Sequence, residues 1–260
     1  MSRFEIWVQG NALPRLLCVG ITSVAAMLWL SACQQDSEAG CFTSTGRVVT
    51  ERREVLPFRT LTAYDNVRVS IVQDTTTYAE VEAGRNLQAD IRLAVEGNEL
   101  TIRNTSSCNW VRRYDTPREV TIHTPTLTDV FLRGQADVRT IGTFRADTLF
   151  AHLIGSGDFH LNLASRYLNM DQYELGDLHL EGETDVLVLT IGGNGSTYAA
   201  GLPANHIYLH TNFDSNGNAH FTPKQFLGGT HAGTGTVRYS GTPSNGLSLQ
   251  ITGKGKVAQE

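Results

Sequence analysis

Beyond residue 33 the chain has little that could build a helix, since no stretch carries a convincing 3.6-residue apolar period. That scarcity argues against a helical protein. Basic charge is scarce too. Lys and Arg number 21 against 26 Asp and Glu, a net charge of −5, which leaves no electrostatic footprint for nucleic acid. Cysteine is limited to four residues with no CxxC spacing, too few thiols in the wrong pattern for a zinc site. There is no GxSxG elbow and no HExxH, so two recognisable hydrolase signatures are missing. Glycine is what the chain has in quantity: 25 of 260 residues, in a length sufficient for one sizeable core or two small ones.

The first residues read as an address. Arg3 and Arg15 precede an apolar run from Leu16 to Leu30, LLCVGITSVAAMLWL, which is short of the ~20 residues a spanning helix needs and fits a signal-peptide core. The run ends in Leu30-Ser31-Ala32-Cys33, which resembles a bacterial lipobox. Residues 1–32 are therefore expected to be removed and Cys33 to carry lipid, with an uncleaved anchor or an ordinary secretory signal as the alternatives. Glu5, inside a long leading segment, departs from the usual pattern. QQDSEAG, residues 34–40, is polar and aperiodic, so 33–45 reads as the lipidated Cys and its tether. Cys18 leaves with the signal peptide. Cys41 and Cys108 then remain in an oxidising compartment, where one disulfide can join them.

Residues 46–125 read as short strands. NVRVSIVQ (66–73), AEVEA (79–83), DIRLAVEGNELTIRN (90–104) and REVTIHT (118–124) alternate apolar with polar positions, one face buried and one wet. Gly97-Asn98, between two alternating runs, is a hairpin signal.

Residues 126–260 carry a repeat. RGQADVR (133–139), IGSGDFH (154–160), ELGDLH (174–179), GGNGSTY (192–198), SNGNAHF (215–221), AGTGTVR (232–238) and TGKGKVA (252–258) align on a small residue at Ala136, Gly157, Gly176, Gly195, Gly217, Gly235 and Gly255. The steps are 21, 19, 19, 22, 18 and 20 residues. A period near 20 marks a stacked architecture. An antiparallel meander of hairpins and a β-solenoid both fit it, and stacking favours the solenoid. Val138, Phe159, Leu178, Thr197, Ala219, Val237 and Val257 would form one inward row, almost all apolar. The expected fold is all-β: a right-handed parallel β-helix-like solenoid with repeats of about 20 residues, preceded by an N-terminal set of short strands.

GRVVTERREVLPFRTLTAYDNVRVSIVQ (46–73), LQADIRLAVEGNELTIRN (87–104) and the GSGD-type repeats together resemble the putative auto-transporter adhesin, head GIN domain family, over roughly residues 46–258. The resemblance implies a right-handed β-helix-like head domain over 46–260, a bacterial envelope location and an adhesin role. It brings no catalytic residues with it.

The Gly-x-Gly turns invite sharper readings. As phosphate cradles they fail, because GSGDFH has His160 where a dinucleotide turn needs a third Gly. GGNGST (192–197) lacks the Asp and the nine-residue period of a calcium repeat. The structural reading is that Gly supplies positive φ at a coil corner and lets corners stack closely. On stacked coils Asp137, Asp158 and Asp177 would form an outward row of mutually repelling carboxylates, solvated or bridged by a cation. Arg139, His160, His179, Tyr198, His220 and Arg238 would form a second row on the same side. EGETD (181–185) reads as a solvated loop.

Three functions follow as expectations. The first is a non-enzymatic, lipid-anchored outer-membrane module, on the surface or the periplasmic face. Its strip Asp137, Asp158, His160, Asp177, His179 and Tyr198 would contact carbohydrate or another surface protein, with no nucleic acid and no cofactor. The second is a structural envelope protein without ligand. The third is a calcium-dependent polysaccharide lyase using the Asp row with Arg139, by fold-level analogy alone.

Overall fold

The computed structural model describes residues 44–106 and 116–260. Cys33, Cys41 and Cys108, and with them the signal peptide, the lipidation site and the disulfide, lie outside the described residues. Among the described residues no helix is long and apolar enough to cross a membrane.

The strands are β1 (Val48–Glu54), β2 (Thr60–Ala63), β3 (Arg68–Gln73), β4 (Tyr78–Gly84), β5 (Ile91–Glu96), β6 (Glu99–Asn104), β7 (Arg118–Thr124), β8 (Asp129–Leu132) and β9 (Val138–Ile141). They continue as β10 (Phe144–Leu153), β11 (Phe159–Gln172), β12 (Leu178–Ile191), β13 (Thr197–Thr211), β14 (Ala219–His231), β15 (Thr236–Tyr239), β16 (Leu247–Ile251) and β17 (Lys256–Gln259). A short 3-10 helix, Arg85–Asp90, follows β4. From β8 onward every pairing is parallel between successive coils, which is the solenoid and not the meander.

The long strands bend and serve two faces. The start of β11 pairs with β9 while the rest pairs with β10, and β14 likewise meets β15 at its start and β16 at its end. On one face Val120, Val69, Val138, Phe159, Leu178, Thr197, Ala219, Val237 and Val257 lie in register, so the expected inward row exists and extends into the N-terminal strands. On the other, Leu100, Leu61, Val130, Ala151, Met170, Leu189 and Leu209 do the same. Both rows belong to one apolar core. Period-two alternation on each strand is what sends these residues inward, and burying each large side chain is worth roughly 1.5–3 kcal/mol.

The N-terminal strands are not a separate prelude. β2 pairs with both β6 and β8, and β3 with both β7 and β9. The coil of residues 60–73 is therefore sandwiched between the coil of 99–124 and that of 129–141, against chain order. Antiparallel strands finish this end: β4 on β7, β1 on β4, and β5 on β6. The β5–β6 hairpin turns at Gly97, φ +61°, as a II′ turn requires of its first central residue. Arg53 of β1 donates to the carbonyls of Ile91 (2.5 Å) and Gln88 (2.7 Å), tying the outermost strand to the 3-10 helix. Burial pulls its guanidinium pKa down, and the nearby Glu51 carboxylate works against that.

The glycine column at the corners is real, and of the two expected causes close stacking holds while positive φ does not. None of Gly157, Gly176, Gly195, Gly217, Gly235 or Gly255 has positive φ. A Cβ at Gly157 would overlap the carbonyl oxygen of Ala136. The same holds for Gly176 against Gly157, Gly195 against Gly176, Gly217 against Gly195 and Gly235 against Gly217. Each glycine lets the carbonyl of the preceding coil approach. EGETD is also no loop. It lies inside β12 at the bend between faces, where Gly182 has φ +105°.

Candidate functional site

The parallel register places Ser70, Arg139, His160, His179, Tyr198, His220 and Arg238 side by side on the outer surface of the first face, the second row the spacing predicts. The rings of His160 and His179 stack with centroids 4.5 Å apart and planes 12° from parallel. His179 and Tyr198 continue the stack at 4.7 Å and 13°. Tyr198 keeps half of its surface exposed.

The two ends of this row are neutralised by carboxylates. Arg139 donates to Glu119 (2.5 Å) and to the Ser70 hydroxyl (2.9 Å), leaning away from His160. At the far end Glu260 pairs with Arg238 at 3.2 Å and with His220 at 3.3 Å. The middle of the row differs: among the described residues none hydrogen-bonds the rings of His160, His179 or Tyr198, which hold one another by stacking alone.

The carboxylate row is not a line of free repelling charges. Asp137 Oδ1 accepts the backbone N–H of Asp158 (3.1 Å), Asp158 Oδ1 that of Asp177 (2.8 Å), and Asp177 Oδ1 that of Ser196 (2.7 Å). Asn218 plays the same part for Thr236. Each carboxylate thus satisfies an amide on the next coil, a charge-assisted bond worth about 1.5–3 kcal/mol. One oxygen of each is committed, and the bridging cation that the bare row would call for has a backbone substitute.

Neighbouring surface clusters are built alike. His152 meets Asp171 at 2.9 Å and stacks on Phe131, and His123 meets Asp74 at 3.2 Å and stacks on Tyr78. The Thr75 amide, chiefly, holds the Asp74 carboxyl below its ordinary range.

Sequence reading misses a hollow at the bend between faces, lined by Asp147, Arg166, Glu183, Asp185, Asn205 and Lys224, among others. Arg166 donates to Asp147 at 3.0 Å and Asn205 to Asp185 at 2.6 Å, at separations of 19 and 20 residues. That interval is the repeat itself. Extending the alignment from the Gly corners to the mid-strand polar positions would have shown this column.

The family model of the putative auto-transporter adhesin, head GIN domain, matches residues 57–243. The chain belongs to this family. A putative adhesin from Bacteroides fragilis is 24% identical with a TM-score of 0.74, over 82% of this chain and 97% of its own. A putative lipid binding protein from Parabacteroides distasonis is 16% identical with a TM-score of 0.64, over 84% and 98%. A putative adhesin from the same species is 18% identical with a TM-score of 0.65, over 83% and 98%. At these identities the likeness is one of fold. No curated protein matches the chain in sequence.

Proposed function

We propose that this head GIN domain protein is a non-enzymatic binding module, held on the bacterial outer membrane by lipid at Cys33, whose His160–His179–Tyr198 ladder contacts an extended polar partner, carbohydrate first. The observation that carries the reading is the stack itself: flat outward rings, one per coil, with Tyr198 half exposed and no intramolecular hydrogen bonds to give up. Such faces suit sugar rings, and the free oxygens of Asp158 and Asp177 can accept hydroxyl hydrogen bonds. Equivalent positions on successive coils lie about 4.8 Å apart, so a polymer can follow them. Anchoring many copies on one surface raises effective concentration, and individually weak contacts suffice. The adhesin descriptions of the structural neighbours accord with this. The lyase alternative loses support, because Arg139 is engaged by Glu119.

The test is the triple variant His160→Ala, His179→Ala, Tyr198→Ala on a glycan array and in cell adhesion. Exposed side chains should leave melting unchanged. Loss of binding is the expected result. Undiminished binding refutes the ladder as the site, and an inert parent favours a purely structural envelope role. The bend hollow is the second reading, on the strength of its concavity. Binding that survives the triple variant and disappears in Arg166→Ala, Lys224→Ala would move the site there.

A further inference from the structure

The middle of the ladder holds donor atoms that sugar stacking does not use. Asp-x-His occurs twice on adjacent coils, as Asp158-Phe159-His160 and Asp177-Leu178-His179. On a strand, residues two apart share a face, so each Asp stands beside its own His. The parallel register then puts His160 beside His179. A carboxylate oxygen of Asp158 and ring nitrogens of His160 and His179 all lie within 4.8 Å of one another as a result.

The surroundings leave these donors available. The Asp177 amide grips one oxygen of Asp158 at 2.8 Å, which steadies the carboxylate and leaves its second oxygen uncommitted. The flanking guanidinium groups of Arg139 and Arg238 are paired with Glu119 and Glu260. A recess beside the rings is lined by His160, Asn162, His179 and Glu181. Asn162 Oδ1 is shielded from solvent and, among the described residues, has no hydrogen-bond partner.

We propose that Asp158, His160 and His179 form a binding site for a divalent transition metal ion, zinc above all, with a coordination position left open to solvent. Two imidazoles and one carboxylate suit Zn²⁺, Cu²⁺ or Ni²⁺, whereas Ca²⁺ and Mg²⁺ call for sets of oxygens. Bonds of about 2.0–2.2 Å put tetrahedral ligands roughly 3.4 Å apart, so the donors must close by about an ångström. The near-parallel rings must also turn out of their stack. Both motions are side-chain rotations at a surface where no hydrogen bond to either ring is lost. The site stands whether or not a glycan binds, because metal uptake is read without any partner.

The experiment is calorimetric titration of the metal-free full chain with zinc chloride, with calcium chloride as the hard-cation control. One zinc per chain, saturating in the micromolar range, and no calcium heat are expected. His160→Ala and His179→Ala should each weaken zinc binding by about 10-fold or more, the scale of losses from the supporting shell alone. Asp158→Asn keeps an acceptor for the Asp177 amide and hence the fold, and should weaken zinc as well. His123→Ala, in the separate cluster with Asp74 and Tyr78, should bind as the parent does. Zinc uptake should fall as pH drops, because an imidazolium cannot ligate. Absence of micromolar zinc binding by the parent overturns the proposal, and so does undiminished binding by both His variants with unchanged melting. A chain that takes zinc but no glycan sinks the partner reading and leaves this one standing.

Discussion

Single residues in this protein are chosen less for what they contact than for what they leave room for. Gly195 shows it: a methyl group there would meet the carbonyl oxygen of Gly176, with the Gln172 amide nitrogen at 2.7 Å. The obstacle is backbone, which cannot swing aside as a long side chain does. Gly195→Ala should therefore cost about 3 kcal/mol, the upper part of the overpacking range. Gly97→Ala has open space and pays only for positive φ, about 1–2 kcal/mol. Thermal melting of the two variants checks this, and equal losses would mean the corners stack more loosely than described. The alignment at steps near 20 made these positions legible as corners. It could not reveal why glycine is needed, because close approach between coils and positive φ leave the same residue in the sequence.

Across one element the same economy appears in polar form. The inward corner position is occupied by Leu153, Gln172, Ile191, Thr211 and His231 on successive coils. Two of them solve one problem alike. Gln172 Nε2 donates to the Gly176 carbonyl at 2.9 Å, and His231 Nε2 donates to the Gly235 carbonyl at 3.0 Å, both four residues ahead. Thr211 Oγ1 accepts the amides of Ala232 and Gly233, so its hydroxyl proton goes to His231 Nδ1 at 2.8 Å. This fixes the tautomer and makes His231 a buried structural residue. His231→Gln should reproduce the Gln172 arrangement and cost under about 1.5 kcal/mol. His231→Ala leaves buried polar groups without a partner and a cavity, at about 2–4 kcal/mol. Urea unfolding separates the two, and equal midpoints would show that the carbonyl needs no donor. Here the sequence was readable only in part. The repeat alignment gave the inward row that holds Phe159 and Leu178 correctly. A buried His among outward ones looks no different on the page, and neither does a carboxylate whose real partner is the amide one coil away.

At the scale of the whole molecule, what spacing could not disclose is order. The coils after residue 126 stack as they are strung, so a constant interval betrayed them. The coil of 60–73 lies between two later ones, and its partners sit at intervals unrelated to 20. Nothing local in NVRVSIVQ announces that. The antiparallel strands at this end make it the finished end of the solenoid. The polar segment QQDSEAG has no apolar face with which to hold a bilayer. On the lipid anchoring proposed at Cys33, retention would come from acyl chains, each contributing about 0.8 kcal/mol per buried methylene, with a single chain holding only marginally. Cys33→Ala removes the thiol that would carry them. The variant should either remain as uncut precursor or appear in the soluble fraction, and palmitate labelling should vanish. Labelling that persists in Cys33→Ala, with the protein still membrane-bound at its mature size, would place the anchor elsewhere. It would also remove the crowded presentation that weak contacts along His160, His179 and Tyr198 depend on.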